Sequence, residues 1–230
     1  ALIQESKAIR PDLYRIIYDL ENEFDLILTH DQEIIINFEN KARYIPGDSI
    51  SIGSQFYGVD KKKKVRDISF NFSNKLISPG HKLRHVISNK SFIKNNNLVE
   101  KLGSGPQGKY IEEKGEMLFP YKFSIIIENS NYSNYFTEKI LDCFISGTVP
   151  IYWGSNSIGD FFDSNGILEF NSISKLEEHI NNISKNPLKY YESIYSSVKS
   201  NFFKAQKYLY YDDIYLLEIL DFIDNKYGLN

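Results

Sequence analysis

Residues 121–154 read YKFSIIIENSNYSNYFTEKILDCFISGTVPIYWG. Within them FSIIIE, Phe123 to Glu128, carries the strongest buried-strand signal of the chain. A short continuous apolar run bounded by polar residues suits a strand covered on both faces. From Tyr135 to Ser146 the period changes to that of a helix: Phe136, Ile140, Leu141, Phe144 and Ile145 share one face, and Gly147 supplies a terminator. TVPIYWG then reads as a further strand. Strand, loop, helix and strand in this order predict a βαβ unit with a right-handed crossover and a parallel sheet.

Working outward, the first 58 residues read as a helix opened by Pro11 and running to Leu20, followed by short strands that include FDLILTH, Phe24 to His30. Pro46, Gly47, Gly53 and Gly58 break that pattern. From Val65 the order is strand (VRDISFNFS), a Pro79-Gly80 turn opening a helix through Arg84 to Ser88, a strand over Leu98 to Leu102, and a polar surface loop over Gly103 to Glu116. Beyond the βαβ unit, helices are expected around Ser174 to Ser184, Leu188 to about Lys207, and Asp212 to Ile223.

Composition narrows the function classes. The 230 residues are 42% hydrophobic and 15% aromatic, enough for a folded core, and the formal net charge of −3 offers no basic field for nucleic acid. The one basic run, Lys61 to Lys64, reads as a solvated loop edge. A single cysteine, Cys143, excludes an intrachain disulfide and reads as a buried inert thiol among Leu141, Phe144 and Ile145. No apolar run approaches the roughly 18 residues that cross a bilayer, so no transmembrane segment is expected. Ala1 opens the chain where a methionine would stand, which suits a processed or trimmed N-terminus. Sequons at Asn71, Asn89, Asn131 and Asn182 are expected by chance in so Asn- and Ser-rich a chain.

Ligands of open α/β sheets bind beyond the carboxyl ends of the strands. Glu128, Asn129 and Ser130 stand at such an end, and Tyr135 stands where the next helix is expected to begin. A helix N-terminus favours an anion such as a diphosphate, and the i, i+3, i+4 spacing of Tyr135, Glu138 and Lys139 predicts that all three project from one side. Lysine supplies charge for phosphate, and glutamate accepts hydrogen bonds from ribose hydroxyls. The same Glu-Lys pair also suits ordinary helix-dipole and solvation chemistry, so spacing alone leaves both readings open.

The stretch YKF…EN…Y-x-TEK…G-x-VP-I-x-x-G, continued by IGDFF and a GIL-type strand, resembles the donor-binding motif of the family 10 α-1,3/4-fucosyltransferases. The resemblance implies an α/β fold of GT-B type: a partial acceptor-side α/β domain over 1–58, a Rossmann-like donor domain over 59–205, and a C-terminal helix over 206–230 packing back across both. It implies GDP-fucose as donor and inversion at the anomeric carbon. Carried over by position, Glu128 and Asn129 would line the donor pocket, Tyr135 and Lys139 would contact the diphosphate and fucose, and Glu138 would hold the ribose hydroxyls.

GHKLRHVI, Gly80 to Ile87, resembles the family segment whose arginine meets the pyrophosphate, which assigns Arg84 to the leaving group. His81 and His85 read as structural or solvated. IQESKAIRP, Ile3 to Pro11, resembles the acceptor-domain segment that carries the general base, here Glu5, with Lys7 where the family often has proline. Family members usually carry more acceptor-domain sequence ahead of this point. The chain contains no D-x-D motif, and Asp212 and Asp213 read as helix caps. Arg84 and Lys139 can supply the charge on the diphosphate, so no metal or other cofactor is expected.

The expected function is therefore an inverting fucosyltransferase moving L-fucose from GDP-fucose to a hydroxyl of a GlcNAc- or glucose-containing glycan. A donor with another GDP-linked 6-deoxy sugar, or a non-catalytic nucleotide-sugar-binding module, are the alternatives. The expected partners are the donor and a glycan acceptor. The expected compartment is the cytoplasm, at or away from a membrane surface, or the Golgi lumen if an anchor has been removed.

Overall fold

A computed structural model describes residues 1–228. Its first sheet is small and wholly parallel: β1 (Leu2–Ile3), β2 (Ile27–Thr29) and β3 (Ala42–Tyr44), in the order β1-β2-β3. Between β1 and β2 lies α1 (Pro11–Asp19), with Pro11 in its first turn, where a missing N–H leaves no bond unmade. It buries Tyr14 and Ile17 against Ile3, Ile27, Ile34, Phe38 and Ala42. The sequence reading leaves α2 (Gln32–Asn37), between β2 and β3, unassigned. Its signal is a cap: Asp31 Oδ1 accepts hydrogen bonds from the backbone N–H groups of Glu33 (3.0 Å) and Ile34 (3.1 Å).

Residues 66–169 supply the second sheet. Its elements are β4 (Arg66–Asn71), α3 (Pro79–Ser88), α4 (Ser91–Lys94), β5 (Val99–Leu102), β6 (Tyr121–Ile127), α5 (Glu138–Ile145), β7 (Val149–Trp153) and β8 (Leu168–Glu169). The strands run parallel in the order β5-β4-β6-β7-β8. The central strand β6 is buried along all seven residues, as its continuous apolar run predicts. Alternation divides it between two cores. Phe123, Ile125 and Ile127 meet Ile68, Phe70, Ile87 and Ile151 on one face, while Ile126 meets Ile140, Leu141 and Phe144 of α5 on the other. Each such fully buried aliphatic side chain contributes about 1.5–3 kcal/mol.

The remaining helices are α6 (Ile173–Lys185), α7 (Pro187–Ser193), α8 (Tyr195–Ala205) and α9 (Tyr211–Tyr227). The single helix expected over Leu188 to Lys207 is two, because Ile194 leaves the helical region with φ −112° and ψ 12°. The capping role expected of Asp212 and Asp213 falls instead to Tyr210, which makes no side-chain cap; both aspartates lie in the first turn, and Asp212 Oδ1 accepts the Tyr215 hydroxyl at 2.9 Å. The aromatics of the last helices, Phe202, Phe203, Tyr208, Tyr210 and Tyr211, are expected from the sequence to pack the C-terminal helix back; Phe203 and Tyr210 are instead exposed. The backbone at Tyr208 accepts a hydrogen bond from Ile50 N–H (2.9 Å), and the Tyr211 hydroxyl donates to Pro46 O (3.2 Å).

The basic run also departs from expectation at its end. Lys61, Lys62 and Lys63 are exposed, whereas Lys64 is 4% exposed and its Nζ donates to Phe119 O, Ser146 O and Thr148 Oγ1 at 2.7–2.8 Å. Cys143 is buried, and burial pushes its thiol pKa up, so it stays protonated. Among the described residues no helix is long and apolar enough to cross a membrane.

Candidate functional site

The carboxyl ends of β4, β5 and β6 open into a cleft made of two joined cavities of about 340 and about 380 Å³, which share Ser73, Arg84, Glu138 and Lys139. The inner cavity adds Phe72, Met117, Leu118 and Tyr110, and the outer adds Glu5, Asn129, Tyr135 and His81.

Arg84 reaches the cleft because α3 starts unusually close to the end of β6. A Cβ at Gly80 would lie 1.7 Å from Glu128 O, so only glycine allows this approach, and Gly80 N–H donates to Asn129 O at 3.0 Å. Ser78 and His81 close a reciprocal cap at the same end: His81 N–H donates to Ser78 Oγ (3.2 Å) and Ser78 N–H to His81 Nδ1 (3.2 Å). One turn on, Arg84 is 6% exposed, and its Nη2 donates to Ile127 O and to Asn129 Oδ1 (3.5 Å). Burial lowers its pKa while Glu128 and Glu138 raise it; a guanidinium starts so high that it remains charged.

Glu128 is fully buried and sits one layer beneath the cleft instead of lining it. Its Oε1 accepts Thr137 N–H (3.1 Å), its Oε2 accepts the Thr137 hydroxyl (2.8 Å), and Lys139 Nζ stands 3.6 Å from Oε2. Burial pushes its carboxyl up, against the pull of Lys139 and the Thr137 donors. Its position depends on another glycine: a Cβ at Gly154 would lie 2.7 Å from Glu128 Cγ and 2.2 Å from the Tyr152 hydroxyl.

Thr137 is the N-cap of α5, so the helix starts at Glu138, three residues later than its apolar period suggests. Tyr135 consequently lies in the loop ahead of the helix, and the shared-face spacing does not account for its position. The loop buries it completely against His30, ring centroids 4.6 Å apart, and its hydroxyl finds no partner among the described residues. Burial raises the pKa of that hydroxyl and keeps it neutral.

Glu138 and Lys139 do project into the cleft together. Lys139 Nζ lies 3.2 Å from Glu138 Oε1 and 2.9 Å from Thr137 Oγ1. Burial alone would raise the Glu138 carboxyl, but Lys139 and Lys114 outweigh it and pull the pKa down to about 2. Glu138 is thus a carboxylate at any physiological pH.

Glu5 is exposed at the rim of the same outer cavity. Its segment is pinned from two sides: the Ser130 hydroxyl donates to Ser6 Oγ at 2.6 Å, and the Tyr14 hydroxyl donates to Glu5 O at 3.2 Å. Six of the seven residues chosen from sequence therefore line one cavity, and the seventh, Glu128, supports its floor.

Three further residues of the cleft or its walls were given no site role in the sequence reading. His81 lines the outer cavity; since Nδ1 accepts from Ser78 N–H, the proton of the neutral ring is assigned to Nε2, and burial with Arg84 lowers its pKa to about 4. Asp48 lines the same cavity, its carboxyl raised by burial. Lys114, from the loop dismissed as surface, reaches Glu138 Oε1 (3.4 Å), the fully buried Asp142 (2.7 Å) and Ser51 Oγ (3.0 Å). A Ser-x-x-His spacing could have signalled His81; no local pattern signals Lys114. Among the described residues, no group of three His, Cys, Asp or Glu side chains is arranged to hold a metal.

Residues 91–208 match the family model described as glycosyltransferase family 10 (fucosyltransferase), C-terminal. The chain is 37% identical over 76 residues to an α-(1,3)-fucosyltransferase of Helicobacter pylori, a match covering 33% of this chain and 16% of that protein. It is 33% identical over 75 residues to an α-(1,4)-fucosyltransferase of Arabidopsis thaliana, covering 31% and 19%. The matched segments thus span under a fifth of either relative. In structure, the chain resembles an α1,3-fucosyltransferase crystallised with GDP, with a TM-score of 0.57 at 19% identity over 81% of this chain and 69% of that one. That likeness is one of fold, and it agrees with the α/β, GT-B-type architecture read from the sequence.

Proposed function

The chain belongs to glycosyltransferase family 10, the fucosyltransferases, and from that membership we propose that its cleft binds GDP-fucose and transfers L-fucose to a glycan hydroxyl with inversion. The observation that carries the reading is the convergence of Glu5, Arg84, Asn129, Tyr135, Glu138 and Lys139, from three separate stretches of chain, on one cavity at the carboxyl ends of parallel strands.

The Arg84 guanidinium and the Lys139 ammonium meet the diphosphate, and because both are held by protein contacts before the donor arrives, their field need not be reorganised during reaction. Glu138, kept ionised by Lys139 and Lys114, accepts hydrogen bonds from the ribose hydroxyls. Glu5 takes the proton of the acceptor hydroxyl as its oxygen attacks the anomeric carbon from the face opposite GDP. The new C–O bond forms while the bond from that carbon to the β-phosphate oxygen breaks, and GDP leaves with the electron pair. The two cations supply the charge compensation, so the reaction as proposed uses no metal ion. The acceptor is a GlcNAc- or glucose-containing glycan, by resemblance.

The test is GDP release from GDP-fucose in the presence of a GlcNAc-containing oligosaccharide. Glu5→Gln should lower turnover by about 10²–10⁴-fold with donor affinity unchanged. Turnover that survives at the wild-type rate would remove Glu5 from the mechanism.

A further inference from the structure

A second groove, of about 620 Å³, lies at the carboxyl ends of β7 and β8, across the β6–α5 loop from the donor cleft. The loop separates the two: Asn129 lines the cleft, and Asn131, two residues on, lines the groove. Trp153, the only tryptophan of the chain, ends β7 half-buried in the groove. Around it stand the exposed side chains of Asn131, Asn156, Asn171 and Glu169.

Three properties select the ligand. The indole, packed in part against the core and in part lining the groove, offers a flat apolar surface suited to the C–H face of a pyranose ring. The surrounding amides both donate and accept hydrogen bonds and the carboxylate accepts them, which matches a ring of hydroxyls that do both. Among the described residues one cation lines the groove, Lys175, paired with both oxygens of Glu178 (2.9 and 3.0 Å), and with Glu169 beside them the lining is acidic on balance, which disfavours a phosphate. The wall is also set before any ligand arrives: the Ser133 hydroxyl donates to Asn156 Oδ1 (2.9 Å), and Asn134 N–H donates to Ser157 Oγ (2.8 Å).

We propose that this groove binds a neutral hexose or N-acetylhexosamine unit of an oligosaccharide, stacked on Trp153, at a site distinct from the donor cleft. The groove shares no lining residue with the cleft, so the proposal does not depend on the GDP-fucose reading.

Because Trp153 is unique, intrinsic tryptophan emission reports on this groove directly. The chain is titrated with triacetylchitotriose and, separately, cellotriose, following tryptophan emission in the wild type, in Lys139→Ala, and in an Asn171→Ala/Glu169→Ala double variant whose fold is checked by circular dichroism. The expected result is a saturable emission change with at least one saccharide, unaltered by saturating GDP or by Lys139→Ala, and weakened at least about tenfold in the double variant. Three results would overturn the proposal: no saturable change with either saccharide, undiminished affinity in the folded double variant, or displacement by GDP.

Discussion

The hydroxyls of Ser130 and Ser6, 124 residues apart in sequence, meet in a buried hydrogen bond of 2.6 Å. The bond joins the loop after β6, which carries Asn129 and Tyr135 of the cleft, to the N-terminal segment that carries Glu5. Replacing either serine by alanine leaves the other hydroxyl buried without its partner, an expected loss of about 1–3 kcal/mol in chemical denaturation. Under the proposed mechanism Ser6→Ala also frees the Glu5 segment, so kcat should fall while donor affinity holds. An unchanged kcat would show that the bond serves stability alone.

Gly80→Ala should separate α3 from the end of β6. With a Cβ 1.7 Å from Glu128 O the helix must retreat, carrying Arg84 with it. The expected outcome is a loss of about 1–3 kcal/mol from overpacking, together with weaker binding of GDP. A change at an exposed position away from the cleft, such as Lys62→Ala, provides the control.

The acid limb of stability should carry the signature of Glu138. Its carboxyl is lowered from 4.5 to about 2, so the folded state gives up its proton more readily than the unfolded state. The stabilisation this adds is complete above pH 4.5 and is lost as pH falls towards 2. Unfolding midpoints of the wild type and Glu138→Gln should therefore differ by a constant amount above that window and converge within it.

Lys64 predicts a slope at the opposite end. Burial lowers its pKa from 10.5 to about 7, so between these values the unfolded chain holds the extra proton and stability rises with pH. Lys64→Met removes this slope and leaves Phe119 O and Ser146 O without their donor. Urea denaturation at pH 7 and pH 10 compares the two proteins directly, and equal slopes would contradict the assignment.

What could be read without coordinates was whatever a short window encodes. The run Phe123–Glu128 is apolar enough to name a buried strand, and the TEK segment with its VP-I-x-x-G continuation identifies a loop–helix–strand that the family shares. Boundaries were harder: Thr137, not Tyr135, begins α5, because the decision rests on a carboxylate nine residues upstream, Glu128, that receives both Thr137 donors. Ile194 breaks the helix expected over Leu188 to Lys207, with no Pro or Gly at that position to announce it.

Within the site, Arg84, Glu138 and Lys139 were found through motifs, whereas Lys114 was not. It lies in a polar loop and acquires its role only when the chain brings it against Asp142 and Glu138. Lys64 was missed for the same reason, since its three acceptors lie 55 to 84 residues away. Long-range polar partners leave no periodic trace in the sequence.

The central claim is that the cleft lined by Arg84, Glu138 and Lys139 is a GDP-fucose site, and calorimetric titration tests it most directly. The chain is titrated with GDP and with GDP-fucose without added metal, as wild type and as Lys139→Ala. The account predicts saturable binding of both ligands to the wild type and its loss in the variant. No binding to the folded wild type, or equal binding to both proteins, would contradict it.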